Sequence, residues 1–139
     1  MKRKLIFLLL LSHSVFAQQL KYYNYDTDLL SKEFHKGRRD ALREKMPANS
    51  AAVVFAAPER LYNNDNDYQY HQSPNFYYLS GFKEPNSMLI IFKSPQTLNG
   101  ITADEFLFVS EKDPSQEVWT GRRAGKEGAS EAFWPYPHL

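Results

Sequence analysis

The chain has 139 residues, of which 42% are hydrophobic and 15% aromatic, and it contains no cysteine. This length fits one domain that relies on a hydrophobic core, and the absence of cysteine excludes disulfide bonds and thiol catalysis. The formal net charge of +1 becomes −2 if the three basic residues at the amino terminus are removed, a balance that argues against nucleic acid and anionic membranes as partners.

The first 17 residues have the composition of a secretory signal peptide. A basic start precedes an apolar run at residues 5–11, and Val15 and Ala17 stand three and one residues before the expected cleavage site. The apolar run is shorter than the roughly 20 residues that span a bilayer, so an uncleaved anchor is the less favoured alternative. We therefore predict that residues 1–17 are a signal peptide, and that residues 18–139 form a secreted or periplasmic protein without membrane contact after cleavage.

The first elements of the remaining chain are a helix and a strand. Apolar residues recur on one side of residues 26–46, a pattern typical of an amphipathic helix, which Thr27 or Asp28 can cap and Pro47 ends. The run SAAVVFAAP at residues 50–58 is rich in small and β-branched residues, which predicts a strand buried on both faces.

The second part of the chain predicts a loop, two strands and two helical segments. Residues 62–72 are polar and aromatic without a period, which predicts a long loop. The other predicted elements are a short helical turn stopped by Gly81, two strands joined by a turn-rich link, and a loop leading into a helix, at residues 75–81, 87–93, 105–110 and 121–133 respectively. Helices interleaved with strands predict an α/β fold.

The residue types alone do not give a complete active site. Asp65 and Asp67 lie on the predicted loop with only His71 close by in the sequence, whereas a metal site needs at least three converging ligands. A solvated turn is therefore the favoured interpretation of these acids. Ser80 lacks the flanking glycines of a nucleophile elbow, and the glycines after Thr120 lack the spacing of a phosphate-binding loop.

Three segments carry distinctive motifs. The first is FHKGRRDALREKMPANS, the second runs from AAPE through a loop with Asp, Tyr and Gln to FYYLSGF, EP and an aliphatic strand, and the third is VWTGRRAG. In this order and spacing they resemble the amino-terminal domain of Xaa-Pro aminopeptidases (aminopeptidase P), metallopeptidases of the creatinase and prolidase family. The resemblance implies a creatinase-like α/β domain in which helices flank a mixed β-sheet.

The same resemblance implies a division of labour between two domains. In this family a carboxy-terminal "pita-bread" domain binds two divalent ions, typically manganese, through two Asp, one His and two Glu. That domain hydrolyses the bond between an amino-terminal residue and proline, whereas the amino-terminal domain covers part of the cleft and mediates oligomer contacts. We therefore expect no cofactor in this chain, and we expect as partners the pita-bread domain, further copies of the parent enzyme and its Xaa-Pro peptide substrates.

Eight residues are candidates for contacts with the cleft or with another subunit. Trp119 matches a family tryptophan that shapes the peptide pocket of a neighbouring subunit, with a core tryptophan as the alternative. Asp65 matches a loop aspartate near the cleft mouth, with an exposed turn residue as the alternative. The complete set of candidates is Asp65, Tyr68, Phe76, Tyr77, Tyr78, Trp119, Arg122 and Arg123.

Four aromatic residues crowd the segment before the second strand. Phe76, Tyr77, Tyr78 and Phe82 either fill the core of their own domain or face a partner. We expect two of them to fill the core and the other two to meet the partner domain or subunit.

The last residues, FWPYPHL, do not resemble the segment at the corresponding place in the family. The resemblance therefore implies that further strands and the metal-binding domain are missing, and we expect residues 18–139 to be a truncated amino-terminal domain. The alternative is a stand-alone interaction module that keeps the aromatic surface without catalysis.

Overall fold

The structure is a computed structural model that describes residues 30–63 and 66–132. The elements are α1 Lys32–Lys45, β1 Ala51–Phe55, β2 Leu61–Asn63, β3 Asn66–Asp67, α2 Pro74–Ser80, β4 Met88–Leu98, β5 Ile101–Phe108, α3 Glu117–Thr120 and α4 Gly125–Ala132. Strands β1, β4 and β5 form an antiparallel sheet in the order β1-β4-β5, and strands β2 and β3 pair antiparallel in the region predicted to be a long loop. The predicted α/β fold is confirmed. Among the described residues, every helix is too short or too polar to span a bilayer.

Helix α1 is capped by Ser31, which is not one of the two predicted caps. The side chain of Ser31 accepts a hydrogen bond of 3.2 Å from the backbone N–H of Phe34, which satisfies one of the free donors of the first turn. The predicted caps Thr27 and Asp28 lie outside the described residues. At the other end Met46 is extended, with φ −71° and ψ 143°, as expected for a residue before proline.

The two faces of the sheet have different surroundings. The inner face carries apolar residues such as Leu89, Ile91 and Leu107, which belong to the buried core, and helices α1 and α2 contact this sheet. On β1 the residues of the other face are exposed, Val53 by 48% and Phe55 by 64%. The prediction that β1 is buried on both faces is therefore wrong, because alternate side chains of β1 point away from the core.

Strands β4 and β5 are joined by a tight hairpin turn. Asn99 and Gly100 have positive φ angles of 47° and 81°, which a two-residue turn between antiparallel strands requires. Pro95, predicted to lie in the link, instead lies inside β4. The pairing register shifts between Ile91 and Gln96, and such an irregularity accommodates a proline without a backbone N–H.

A buried ion pair joins α1 to β5. Arg39 and Glu105 are both buried, with Nε of the arginine 2.9 Å from Oε2 of the glutamate. Arg39 also donates a hydrogen bond of 2.7 Å to the carbonyl of Leu79, and Nη2 of Arg43 donates one of 2.6 Å to the same Glu105 oxygen. Breaking such a pair leaves a buried charge without its partner, so these bonds favour a single placement of α1 against the sheet and α2.

Candidate functional site

The aromatic helix α2 is built into the core. Pro74 begins the helix, and Gly81 ends it with a left-handed φ of 71°. Phe76 and Phe82 are completely buried, which confirms the expectation that two of the four aromatic residues fill the core. A Cβ atom on Gly81 would lie 2.6 Å from Cδ2 of His35, so the imidazole ring occupies space that only glycine leaves open.

Tyr77 and Tyr78 lie at the margin of this core, beside α1. Tyr77 is half-buried, with its ring edge-on to His35 at a centroid distance of 5.6 Å. Tyr78 is 47% exposed, its ring is edge-on to Phe34, and its hydroxyl lies 3.4 Å from Nη1 of Arg38. Their predicted contacts with a partner therefore stay predictions, now placed on the surface next to α1.

Helix α3 presents an aromatic ring to solvent. Trp119 is 85% exposed and the adjacent Val118 is 81% exposed, so the alternative of a core tryptophan does not hold. The helix ends at Gly121, whose φ of 73° and ψ of 172° are accessible almost only to glycine. Arg122 is also exposed.

The residues that follow α3 are held by three carboxylates. Nη2 of Arg123 lies 2.7 Å from Oε1 of Glu59, and the backbone N–H of Arg123 donates a hydrogen bond of 3.3 Å to Glu117. The backbone N–H of the next residue, Ala124, donates a bond of 2.7 Å to Oε1 of Glu84. Glu84 and Ala124 are both buried, whereas Glu59 is exposed.

A glutamine side chain connects Glu84 to the end of β1. Oε1 of Gln72 accepts hydrogen bonds of 2.8 Å from the backbone N–H groups of Ala57 and Ser73. Its Nε2 donates to the carbonyl oxygens of Glu84 at 2.9 Å and Phe82 at 3.3 Å. One side chain thus satisfies four backbone groups from separate stretches of the chain, which fixes the position of the segment that carries Glu84.

The contacts around Glu59, Gln72 and Glu84 form one polar cluster. Burial shifts the pKa of two groups in this cluster. Burial raises the pKa of the Glu84 carboxyl above its usual value, although the hydrogen bond from Ala124 and the charge of Arg123 favour the ionised form. The hydroxyl of Tyr70 donates a hydrogen bond of 3.0 Å to the carbonyl of Ala57 in the same cluster. Burial and the nearby charge of Glu59 raise the pKa of Tyr70 to about 12. Both shifts have the same cause, because burial disfavours the charged form of each group.

The two candidates from the predicted loop are placed less completely. Tyr68 is 55% exposed, and its backbone N–H donates a hydrogen bond of 2.9 Å to the carbonyl of Arg60. Asp65 lies outside the described residues, so its predicted position near a cleft mouth stays a prediction.

Sequence reasoning missed the three residues that organise this cluster, namely Glu59, Gln72 and Glu84. All three belong to the motifs that carry the family resemblance, but they were not among the candidate contact residues. No local pattern marks these residues, because their partners lie far away in the sequence. The structure brings the candidate Arg123 into this cluster.

The described side chains do not provide a metal site. Within residues 30–63 and 66–132 no group of three or more His, Cys, Asp or Glu side chains is arranged to hold a metal ion. These residues therefore do not fit the two-metal centre that the resemblance implies for the parent enzyme.

The family model, the related sequences and the solved structures all point to one family. The family described as "Aminopeptidase P, N-terminal domain" matches residues 35–134. The Xaa-Pro aminopeptidase of Escherichia coli K12 is 40% identical over 102 residues, which are 73% of this chain and 22% of the relative. The structure of E. coli aminopeptidase P with the inhibitor Pro-Leu has a TM-score of 0.66 and 35% identity, over 78% of this chain and 24% of that chain. This chain therefore spans less than a quarter of either protein.

The comparisons also correct the predicted localisation. An Arabidopsis thaliana relative, 30% identical over 101 residues (73% of this chain, 19% of the relative), is named "Intermediate cleaving peptidase 55, mitochondrial". The relatives do not support secretion, so the prediction of a secreted or periplasmic protein is wrong. A basic start followed by an apolar run is a pattern of composition, and composition alone does not fix the compartment.

The family match includes both aromatic segments. Residues 35–134 contain α2 with its buried Phe76 and Phe82, and also α3 with the exposed Trp119. They contain Glu84, which joins the two segments by its bond to the chain after α3. Motifs, fold and family match agree, and the chain belongs to the aminopeptidase P N-terminal domain family.

Proposed function

We propose that this chain is the non-catalytic amino-terminal domain of an Xaa-Pro aminopeptidase, and that Trp119 lines the peptide cleft of the parent enzyme or of a neighbouring copy. The parent reaction is the release of the amino-terminal residue from Xaa-Pro peptides, assisted by manganese in a carboxy-terminal pita-bread domain. The metal ions would supply activated water and polarise the carbonyl group of the substrate. This chain would supply a surface for the cleft and for contacts between copies.

The exposure of Trp119 carries this proposal. A tryptophan that is 85% exposed keeps a large, rigid apolar surface in water, and such rings are enriched where proteins meet partners or ligands. A flat ring is also a suitable wall for the pyrrolidine ring of proline. Arg122, three residues further along the chain, adds an exposed positive charge close to this surface in the sequence. We propose contact roles for Asp65, Tyr68, Tyr77 and Tyr78 as well.

The division of labour is tested with the purified chain alone. Because the described residues lack a cluster of metal ligands, we expect no release of amino-terminal residues from Xaa-Pro peptides, with or without added manganese. The intact E. coli Xaa-Pro aminopeptidase serves as the positive control. Metal-dependent turnover by the pure chain would contradict the assignment of catalysis to another domain.

The role of Trp119 is tested in a chimaera, in which residues 35–132 of this chain replace the matched region of the E. coli enzyme. We expect Trp119→Ala to raise KM about three- to tenfold while kcat changes less, because a cleft wall contributes to binding before and during the reaction. Val118→Ala is the matched control, since it removes exposed apolar surface without removing the ring. Equal KM values for the chimaera and its Trp119→Ala variant would overturn the proposed role.

A further inference from the structure

We propose that Glu84 is a positioning residue for Trp119, and that its buried carboxylate holds the segment carrying the exposed ring through the backbone of Ala124. This inference rests on the proposed function for the purpose of the ring. It goes further by naming the group that determines where the ring lies. Glu84 would act on the cleft without touching the substrate.

Helix α3 does not hold its own position. It consists of four residues, none of them buried, and a single helical turn of this length is not stable by itself. The backbone N–H groups of Trp119 and Thr120 both donate to Gln116, within the same segment. The placement of Trp119 therefore depends on contacts made before or after the helix.

The contact after the helix is buried and has a specific geometry. Oε1 of Glu84 lies 2.7 Å from the backbone nitrogen of Ala124, a partner 40 positions away in the sequence. Both residues are almost fully buried, and the carbonyl of Glu84 is itself bound by Gln72. A hydrogen bond to a carboxylate in such surroundings is shorter and stronger than a bond between neutral groups. This bond fixes the chain five residues after Trp119.

The second contact after the helix is weaker. Arg123 pairs with Glu59 at 2.7 Å, but the side chain of Glu59 is 49% exposed. Exposed ion pairs contribute little because water screens the charges. Of these two contacts, the buried bond of Glu84 is therefore the stronger link between the Trp119 segment and the core.

The test uses the full chain with Trp134→Phe. The sequence has two tryptophans, so Trp119 is then the only one left. In this background Glu84→Met removes the acceptor oxygen at similar side-chain length, Glu84→Gln keeps an acceptor oxygen, and Glu44→Met removes an exposed carboxylate from α1 as a control. We measure amide hydrogen exchange of Ala124 and the fluorescence anisotropy decay of Trp119, which reports nanosecond motion.

We expect Glu84→Met to accelerate exchange of the Ala124 amide about tenfold or more and to lower the residual anisotropy of Trp119. Glu84→Gln and Glu44→Met should leave both values within about twofold. Amides of β4 report the core: if they accelerate by the same factor as Ala124 in Glu84→Met, the effect is general loosening and the proposal is overturned. Unchanged exchange and anisotropy in Glu84→Met would also overturn it.

The unaltered chain offers a measurement that does not depend on a variant folding. The Ala124 amide should exchange as slowly as amides of β4, and exchange at the rate of an exposed amide would overturn the proposal. In the chimaera, Glu84→Met should raise KM as Trp119→Ala does. If Glu84→Met frees Ala124 but Trp119→Ala leaves KM unchanged, the positioning role stands and the proposed function of Trp119 fails.

Discussion

Helices α2 and α3 both carry aromatic residues, but they are attached to the domain in different ways. Helix α2 inserts its own side chains, with Phe76 buried within it and Phe82 just beyond its end. Helix α3 inserts none, exposes Trp119, and is linked to the core by the backbone N–H of Ala124. Aromatic content therefore does not mark a contact surface by itself. A ring is available to a partner where the backbone, and not the ring, makes the attachment.

We expect the largest loss of folding stability when a buried aromatic ring is removed. Phe82→Ala should lower the free energy of unfolding by about 3–5 kcal/mol, because it leaves a cavity beneath α2. Trp119→Ala should change the free energy of unfolding by less than about 0.5 kcal/mol, because the ring is exposed. Urea denaturation of the two variants measures both values. Similar losses would show that Trp119 is part of the core in solution.

An intermediate effect is expected where α2 ends. Gly81→Ala should lower the free energy of unfolding by about 2 kcal/mol or more, since a left-handed φ costs an L-residue about 1–2 kcal/mol and the ring of His35 must also move. Gly100→Ala is the matched control, because Gly100 has a φ of 81° and open space around the position of a Cβ atom. If the two variants lose the same stability in urea denaturation, the close approach of His35 does not matter.

The smallest expected effects are on the pH dependence of stability, and they have opposite signs in the two regions. Burial lowers the pKa of His35, so its contribution is complete above the ordinary value of 6.5 and is lost as pH falls through the lower folded value. Burial raises the pKa of Glu84, so its contribution is complete below the ordinary value of 4.5 and is lost as pH rises through the higher folded value.

Substitution separates these two contributions. Urea denaturation at a series of pH values should show that His35→Gln flattens the stability curve below pH 6.5. Glu84→Gln should flatten the stability curve above pH 4.5. An unchanged curve for either variant would show that the substituted group is not responsible for the pH dependence in that range.

The elements with strong local patterns could be predicted from the sequence. The period of α1 and the apolar runs of β4 and β5 are local signals. Which aromatic residues enter the core is not a local signal, and Phe76, a candidate contact residue, is buried. The exposed outer face of β1 could not be predicted. Apolar residues such as Val53 and Phe55 occur both on strand faces that another element covers and on faces that stay exposed. The role of Glu84 was also inaccessible, since its partner lies 40 positions away and no periodicity records such a bond.

Photo-crosslinking tests whether Trp119 meets a part of the enzyme outside this domain. A benzophenone amino acid replaces Trp119 in the chimaera, and the same probe at the exposed position of Glu44 on α1 measures background. We predict crosslinks from position 119 to peptides of the carboxy-terminal domain, in the same copy or a neighbouring one, and their loss when an Xaa-Pro peptide competes. Crosslinks from position 119 that stay entirely within residues 35–132 would contradict this prediction.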